Sequence, residues 1–83
     1  MVMSDGEDKV KAYVLLVVTT GREKDVLREV KRIGGVSEAS VVYGDYDLIA
    51  KVEAPNLRDL NKIVMRIRSL NSVVRSSTLI SVD

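Results

Sequence analysis

The spacing of hydrophobic residues divides the chain into strand-like and helix-like segments. Residues 12–19 are apolar at both even and odd positions, which predicts a central strand with both faces covered. Residues 37–43 and 46–53 are rich in β-forming residues and predict two strands that pair antiparallel. The Gly-Asp pair at 44–45 between them is typical of a two-residue hairpin turn, because glycine accepts a positive φ. A last strand is expected over residues 73–82.

Helical spacing separates these strands. Thr20 stands three residues before Glu23, a capping-box spacing that predicts a helix start, and the Gly-Gly pair at 34–35 is expected to end this helix. Asn56 is expected to cap a second helix, with Asp59 at its third position. The apolar stripes of the two helices are Val26, Leu27, Val30 and Ile33, and Leu57, Leu60, Ile63, Val64, Ile67 and Leu70.

The resulting order, βαββαβ, predicts an α+β, ferredoxin-like domain with two helices on one face of a four-stranded antiparallel sheet. The helices account for only one parity of the first strand, yet Tyr13, Leu15 and Val17 on the other parity are also apolar. A second subunit is the expected cover for that face, which predicts a dimer formed sheet to sheet. Residues 1–9 contain a polar run without apolar periodicity and predict a flexible tail, while residues 10–83 are predicted to form a single domain.

Composition restricts the chemistry. The 83 residues include no Cys and no His, so thiol chemistry, disulfides and ordinary zinc sites are excluded, and the commonest general base is absent. We therefore expect no cofactor, no metal and no enzymatic activity. The longest apolar stretch is far shorter than the roughly 18 residues of a membrane span, and a cytoplasmic location is expected.

The charge distribution gives little support to nucleic-acid binding. The formal net charge is +1, which provides no general attraction to phosphates. Arg58, Lys62 and Arg66 follow one another at helical spacing and form a basic row that can meet a phosphate backbone or an acidic neighbour. Such a row is usually solvated, and the chain lacks the aromatic residues with which RNA-binding domains of this topology stack bases. No direct DNA binding is expected.

Four segments in order resemble the effector domain of Lrp/AsnC transcription regulators. They are Thr-Gly-Arg-Glu at 20–23, Val-Tyr-Gly-Asp-Tyr-Asp at 42–47, Val-Glu-Ala at 52–54 and Arg-Ser-Ser-Thr-Leu at 75–79. The resemblance implies a domain that binds a small effector, usually an amino acid, and forms dimers that associate into rings. The helix-turn-helix usual in that family has no counterpart here. The resemblance therefore implies a stand-alone module that senses amino acids, joins full-length regulators or directs assembly.

The resemblance also places the effector near the hairpin. It implies Gly44, Asp45, Tyr46 and Asp47 as ligand-binding residues, with Thr78 of the last strand as a further contributor. Chemically, Asp45 or Asp47 can hold the effector's ammonium, Gly44 allows close backbone approach, and Thr78 or Tyr46 can bond its carboxylate.

Several alternatives remain open. The glycine and aspartate of the hairpin also suit a turn without any ligand, and tyrosines in strands commonly serve packing. An ACT-like sensor would also bind amino acids, but around residues 20–22. Two further possibilities are an assembly module that binds no metabolite and a small dimeric α+β-barrel enzyme with an acidic or tyrosine base.

Overall fold

A computed structural model describes residues 9–82 and confirms the predicted order and fold. The elements are β1 (Val10–Val18), α1 (Glu23–Lys31), β2 (Val36–Val41), β3 (Leu48–Ala54), α2 (Leu57–Arg68) and β4 (Val73–Ile80). The strands form one antiparallel sheet in the order β2-β3-β1-β4. Residues 1–8 of the predicted tail lie outside the described residues. Neither described helix has the length and apolar character needed to cross a membrane.

The core lies between the helices and one face of the sheet. Alternate residues of β1 and β3 point into it, so both central strands show a period of two in burial. The helices contribute one stripe each, as predicted. The buried core residues are Ala12, Val14, Leu16, Val18, Val26, Val30, Leu48, Ala50, Val52, Ala54, Leu60, Val64 and Ile67. Leu57 departs from its predicted stripe, because it is the first residue of α2 and remains 52% exposed.

The opposite face of the sheet is apolar around Leu15, carries Lys51 and Arg75 beside that patch, and lacks a covering layer in residues 9–82. Leu15 lies at its centre, between Ile49 on β3 and Ser77 on β4. Tyr13 and Leu79, which pair on neighbouring strands, are 37% and 54% exposed. The second apolar parity of β1 therefore belongs to a face that the described helices do not cover, as the sequence predicted.

The start of α1 differs from the prediction. Thr20 is not its cap: the helix begins at Glu23, and the capping position is held by Arg22, without a side-chain hydrogen bond. A turn intervenes, in which the amide of Arg22 donates to the carbonyl of Thr19 at 3.0 Å and Gly21 adopts φ +89°. The Glu23 carboxylate accepts a hydrogen bond from the Gly21 amide at 3.0 Å. The predicted capping box is thus replaced by a tighter local turn.

Of the two remaining helix-end predictions, the cap of α2 is confirmed, and the glycine end of α1 is wrong. Asn56 caps α2, and its side-chain oxygen accepts a hydrogen bond from the Asp59 amide at 2.8 Å. α1 already ends at Lys31, with Arg32 as its C-cap in the right-handed region, so the Gly-Gly pair does not end it. Gly35 adopts φ +99° in the turn that leads to β2, and its carbonyl accepts from the Glu53 amide at 2.8 Å. A Cβ atom at Gly35 would collide with the Ile63 side chain, so this position needs glycine for both conformation and space.

Candidate functional site

The loop of the hairpin between β2 and β3 is longer than predicted. The strands end at Val41 and resume at Leu48, so residues 42–47 connect them instead of Gly44 and Asp45 alone. One further hydrogen bond, from the Val42 amide to the carbonyl of residue 47 at 2.8 Å, closes the base of this loop. Gly44 has φ +135°, and strand pairing stops at Val41 and Leu48, so Gly44 and Asp45 do not form the two-residue turn.

Asp47 anchors the base of the hairpin to β1. Its amide donates to the Leu16 carbonyl at 2.7 Å, and its carboxylate oxygen Oδ2 accepts from the Val18 amide at 2.9 Å. The regular pairing of β1 with β3 ends at Leu16 and Leu48, so the aspartate side chain supplies the next acceptor beyond the ladder. Within residues 9–82 the other carboxylate oxygen, Oδ1, receives no hydrogen bond. Asp47 thus combines a structural contact with an available acceptor.

A cavity of about 490 Å³ lies between this hairpin and the β1–α1 turn. Its volume falls within the range of about 300–1,000 Å³ that is typical of small-molecule sites. The lining residues are Gly21, Glu23, Lys24, Val41, Val42, Tyr43 and Asp47. The wall thus combines an apolar surface from β2 and the hairpin with charged groups of both signs.

The charged groups that line the cavity differ in ion pairing from those on the neighbouring surface. Asp25 on α1 is paired with Arg22 at 3.3 Å and with Arg28 at 2.7 Å. Lys24, in contrast, forms no ion pair in the described part of the chain, although it lines the cavity beside Glu23. The cavity therefore presents an unpaired ammonium and carboxylates fixed by backbone amides.

Asp47 is the one member of the predicted ligand-binding set that lines this cavity. Gly44 and Asp45 are exposed at the tip of the hairpin. Thr78 is exposed on the edge strand β4, where it pairs with Val14. A single protomer therefore does not bring these residues together, and their roles stay predictions for an assembly of several protomers.

Tyr46 is engaged elsewhere. The guanidinium of Arg75 on β4 lies 5.9 Å from the centre of the Tyr46 ring, a cation–π contact. Arg75 pairs with Val17, whose parity belongs to the uncovered face of the sheet. Tyr46 therefore packs against the sheet, whereas Tyr43 lines the cavity with a fully exposed ring.

Most of the residues that line the cavity, including Glu23, Lys24 and Tyr43, were not predicted as site residues from the sequence. A partial signal existed in the alternative that placed an amino-acid site at residues 20–22, because Gly21 does line the cavity. Antiparallel pairing brings the end of β1 next to the start of β3, so the turn after β1 and the hairpin before β3 meet at the same end of the sheet. The two locations that seemed alternatives in the sequence contribute to the same cavity.

A second depression runs along the exposed side of α2 and contains the predicted basic row of Arg58, Lys62 and Arg66. These three residues form no ion pair within residues 9–82. All of its lining residues belong to α2 or to Ser69, which follows it, and none is acidic. Because a single helix supplies the wall, it encloses a ligand less well than the cavity at the hairpin.

Comparison with known proteins identifies one family. The model described as the Lrp/AsnC ligand binding domain matches residues 11–83. Among solved structures, a hypothetical protein from Pyrococcus horikoshii is 39% identical, with a TM-score of 0.83 over 89% of this chain and 90% of that chain.

Two kinds of curated relatives are longer than the matched region. A homocitrate synthase of Sulfurisphaera tokodaii is 45% identical over 56 residues, which are 68% of this chain and 12% of that protein. An uncharacterized HTH-type transcriptional regulator of Pyrococcus furiosus is 33% identical over 60 residues, 71% of this chain and 40% of that protein. The chain therefore spans less than half the length of these relatives.

Proposed function

The chain belongs to the Lrp/AsnC ligand-binding domain family, and on that premise we propose that it is a regulatory domain whose cavity between the β1–α1 turn and the hairpin binds an amino acid. One observation carries the proposal. An unpaired ammonium, from Lys24, and an anchored carboxylate with a free oxygen, from Asp47, line the same partly apolar cavity. These groups complement the carboxylate and ammonium of a free amino acid.

The bound ligand would use each wall of the cavity. Its α-ammonium would donate to Oδ1 of Asp47, because Oδ2 is already occupied by the Val18 amide. Its carboxylate would pair with Lys24, and its side chain would lie against Val41 and Val42. Burial of apolar surface would then add affinity to the charged contacts.

Assembly is the second part of the proposed function. The uncovered face of the sheet is apolar around Leu15, and a second copy that packs against it would remove this surface from water. The hairpin tip, with Gly44 and Asp45, stays exposed in the protomer and is available to a neighbouring dimer. This arrangement would allow the predicted residues at the tip, and Thr78, to reach a site shared between protomers.

We expect the domain to act through a partner protein and not by catalysis. The relatives named above are a biosynthetic enzyme and a transcriptional regulator, and both are much longer than the region they share with this chain. The region shared with this chain is therefore compatible with attachment to proteins of different activity. Neither a cysteine nor a histidine is present to serve as nucleophile or base, which also favours binding over turnover.

Thermal unfolding in the presence of each common amino acid tests the proposal. A ligand at about 100 times its Kd should stabilise the domain by roughly 2.7 kcal/mol, which raises the Tm by more than about 10 °C. Lys24→Met should abolish the shift, and Lys62→Met, on the exposed side of α2, should retain it. The proposal fails if no amino acid raises the Tm of the unmodified chain.

A further inference from the structure

The cavity contains one more negative than positive group. Glu23 and Asp47 supply two carboxylates and Lys24 supplies one ammonium, which gives the lining a formal charge of −1. From this imbalance we infer that the site prefers an amino acid with a second cationic group, such as lysine, ornithine or arginine. The inference rests on the proposed function, since it specifies the ligand class of the same cavity.

Both carboxylates are fixed by the backbone, and each retains a free oxygen. Glu23 accepts from the Gly21 amide through Oε1, and Asp47 accepts from the Val18 amide through Oδ2. The remaining oxygens, Oε2 and Oδ1, accept no hydrogen bond within residues 9–82. The two acceptors come from different structural elements, so they can hold two separate ammonium groups of one ligand.

Lys24 does not neutralise this excess. Glu23 and Lys24 are adjacent on α1, and adjacent helical residues do not face each other. No ion pair joins Lys24 to either carboxylate in the described part of the chain. Lys24 is thus available for the ligand's carboxylate, while both acidic side chains are available for cations.

The net charge of the occupied cavity depends on the charge of the ligand. A neutral amino acid leaves the formal charge at −1, and an acidic one brings it to −2. A diamino acid balances it, and its methylene chain suits the apolar wall formed by Val41 and Val42. Because charge-assisted hydrogen bonds are about twice as strong as neutral ones, the distal ammonium should contribute to selectivity as well as to affinity.

Calorimetric titration with lysine, ornithine, norleucine and glutamate tests the inference. Norleucine has the same chain length as lysine without the distal charge. We expect lysine to bind about 10-fold tighter than norleucine, because its distal ammonium adds one charge-assisted contact. Glutamate should bind weakest, because its second carboxylate meets the carboxylates of Glu23 and Asp47. Glu23→Gln should bring the affinities for lysine and norleucine close together, since glutamine still accepts from the Gly21 amide but lacks the charge.

Glu29→Gln, an exposed position of the same helix outside the cavity, should leave the preference for lysine unchanged. The inference is overturned if norleucine binds the unmodified chain as tightly as lysine, a result that leaves the proposed function intact. Binding of no amino acid overturns both. A preference for lysine that persists in Glu23→Gln refutes the role of this carboxylate. The ligand series in the unmodified chain does not depend on how the variants fold.

Discussion

The hydrogen bond between the Val18 amide and the Asp47 carboxylate predicts that this residue matters for stability even without a ligand. Val18 is only 5% exposed, so Asp47→Ala removes the acceptor of an amide that water reaches poorly. A hydrogen bond to a charged group contributes about 1.5–3 kcal/mol, and we expect Asp47→Ala to lower the free energy of unfolding by about 2 kcal/mol. In a domain of this size, such a loss lowers the Tm by roughly 10 °C.

Urea denaturation followed by circular dichroism, without amino acids and at one protomer concentration, measures this effect. Asp47→Asn should cost less than about 1 kcal/mol, because its side-chain oxygen still accepts from Val18. Asp45→Ala, at the exposed tip, should change stability by less than about 0.5 kcal/mol. Equal stabilities of Asp47→Ala and Asp45→Ala would refute the anchoring role. Asp47→Asn is then the suitable variant for ligand titrations, because it removes charge without removing the anchor.

Two further predictions concern the fold and the assembly. Gly35→Ala should lower the free energy of unfolding by about 1–3 kcal/mol in the same denaturation assay, because φ +99° strains alanine and its Cβ would collide with Ile63. Gly34→Ala, where a Cβ atom would meet open space, serves as the neutral control. Leu15→Glu should convert the proposed dimer to a monomer in light scattering after size exclusion, because dimerisation would bury the new charge on the open sheet face. Met65→Glu, on the exposed side of α2, should leave the molar mass of the assembly unchanged. A Leu15→Glu variant that remains dimeric would contradict the proposed interface.

Local patterns predicted the features that depend on neighbouring residues in the sequence. The helical stripes follow from residues three and four apart, and the Asn56 cap acts on an amide only three residues away. The prediction for the start of α1 was wrong although it also relied on nearby residues. The spacing of Thr20 and Glu23 was compatible with a cap, but the Glu23 carboxylate accepts from the Gly21 amide in a turn instead. A spacing motif states which bonds are possible and not which of the competing bonds forms.

The cavity depended on contacts that local patterns do not contain. Asp47 and Val18 are separated by 29 positions, and only the register of β1 against β3 brings them together. The same register places Lys24 near the hairpin. Family resemblance directed attention to the hairpin, including Asp47, but it did not indicate that Tyr46 would be held by Arg75 while Tyr43 would line the cavity.

The position of Asp47 would also connect the proposed ligand binding to the proposed assembly. Its carboxylate joins the end of β1 to the hairpin, and the turn that follows β1 forms the other wall of the cavity. A ligand between Lys24 and Asp47 would therefore contact both walls at once. The same hairpin carries Gly44 and Asp45 at its exposed tip, where a neighbouring protomer can reach it. If the ligand strengthens or weakens the contacts made by the tip, thermodynamic linkage requires that those contacts strengthen or weaken ligand binding by the same factor.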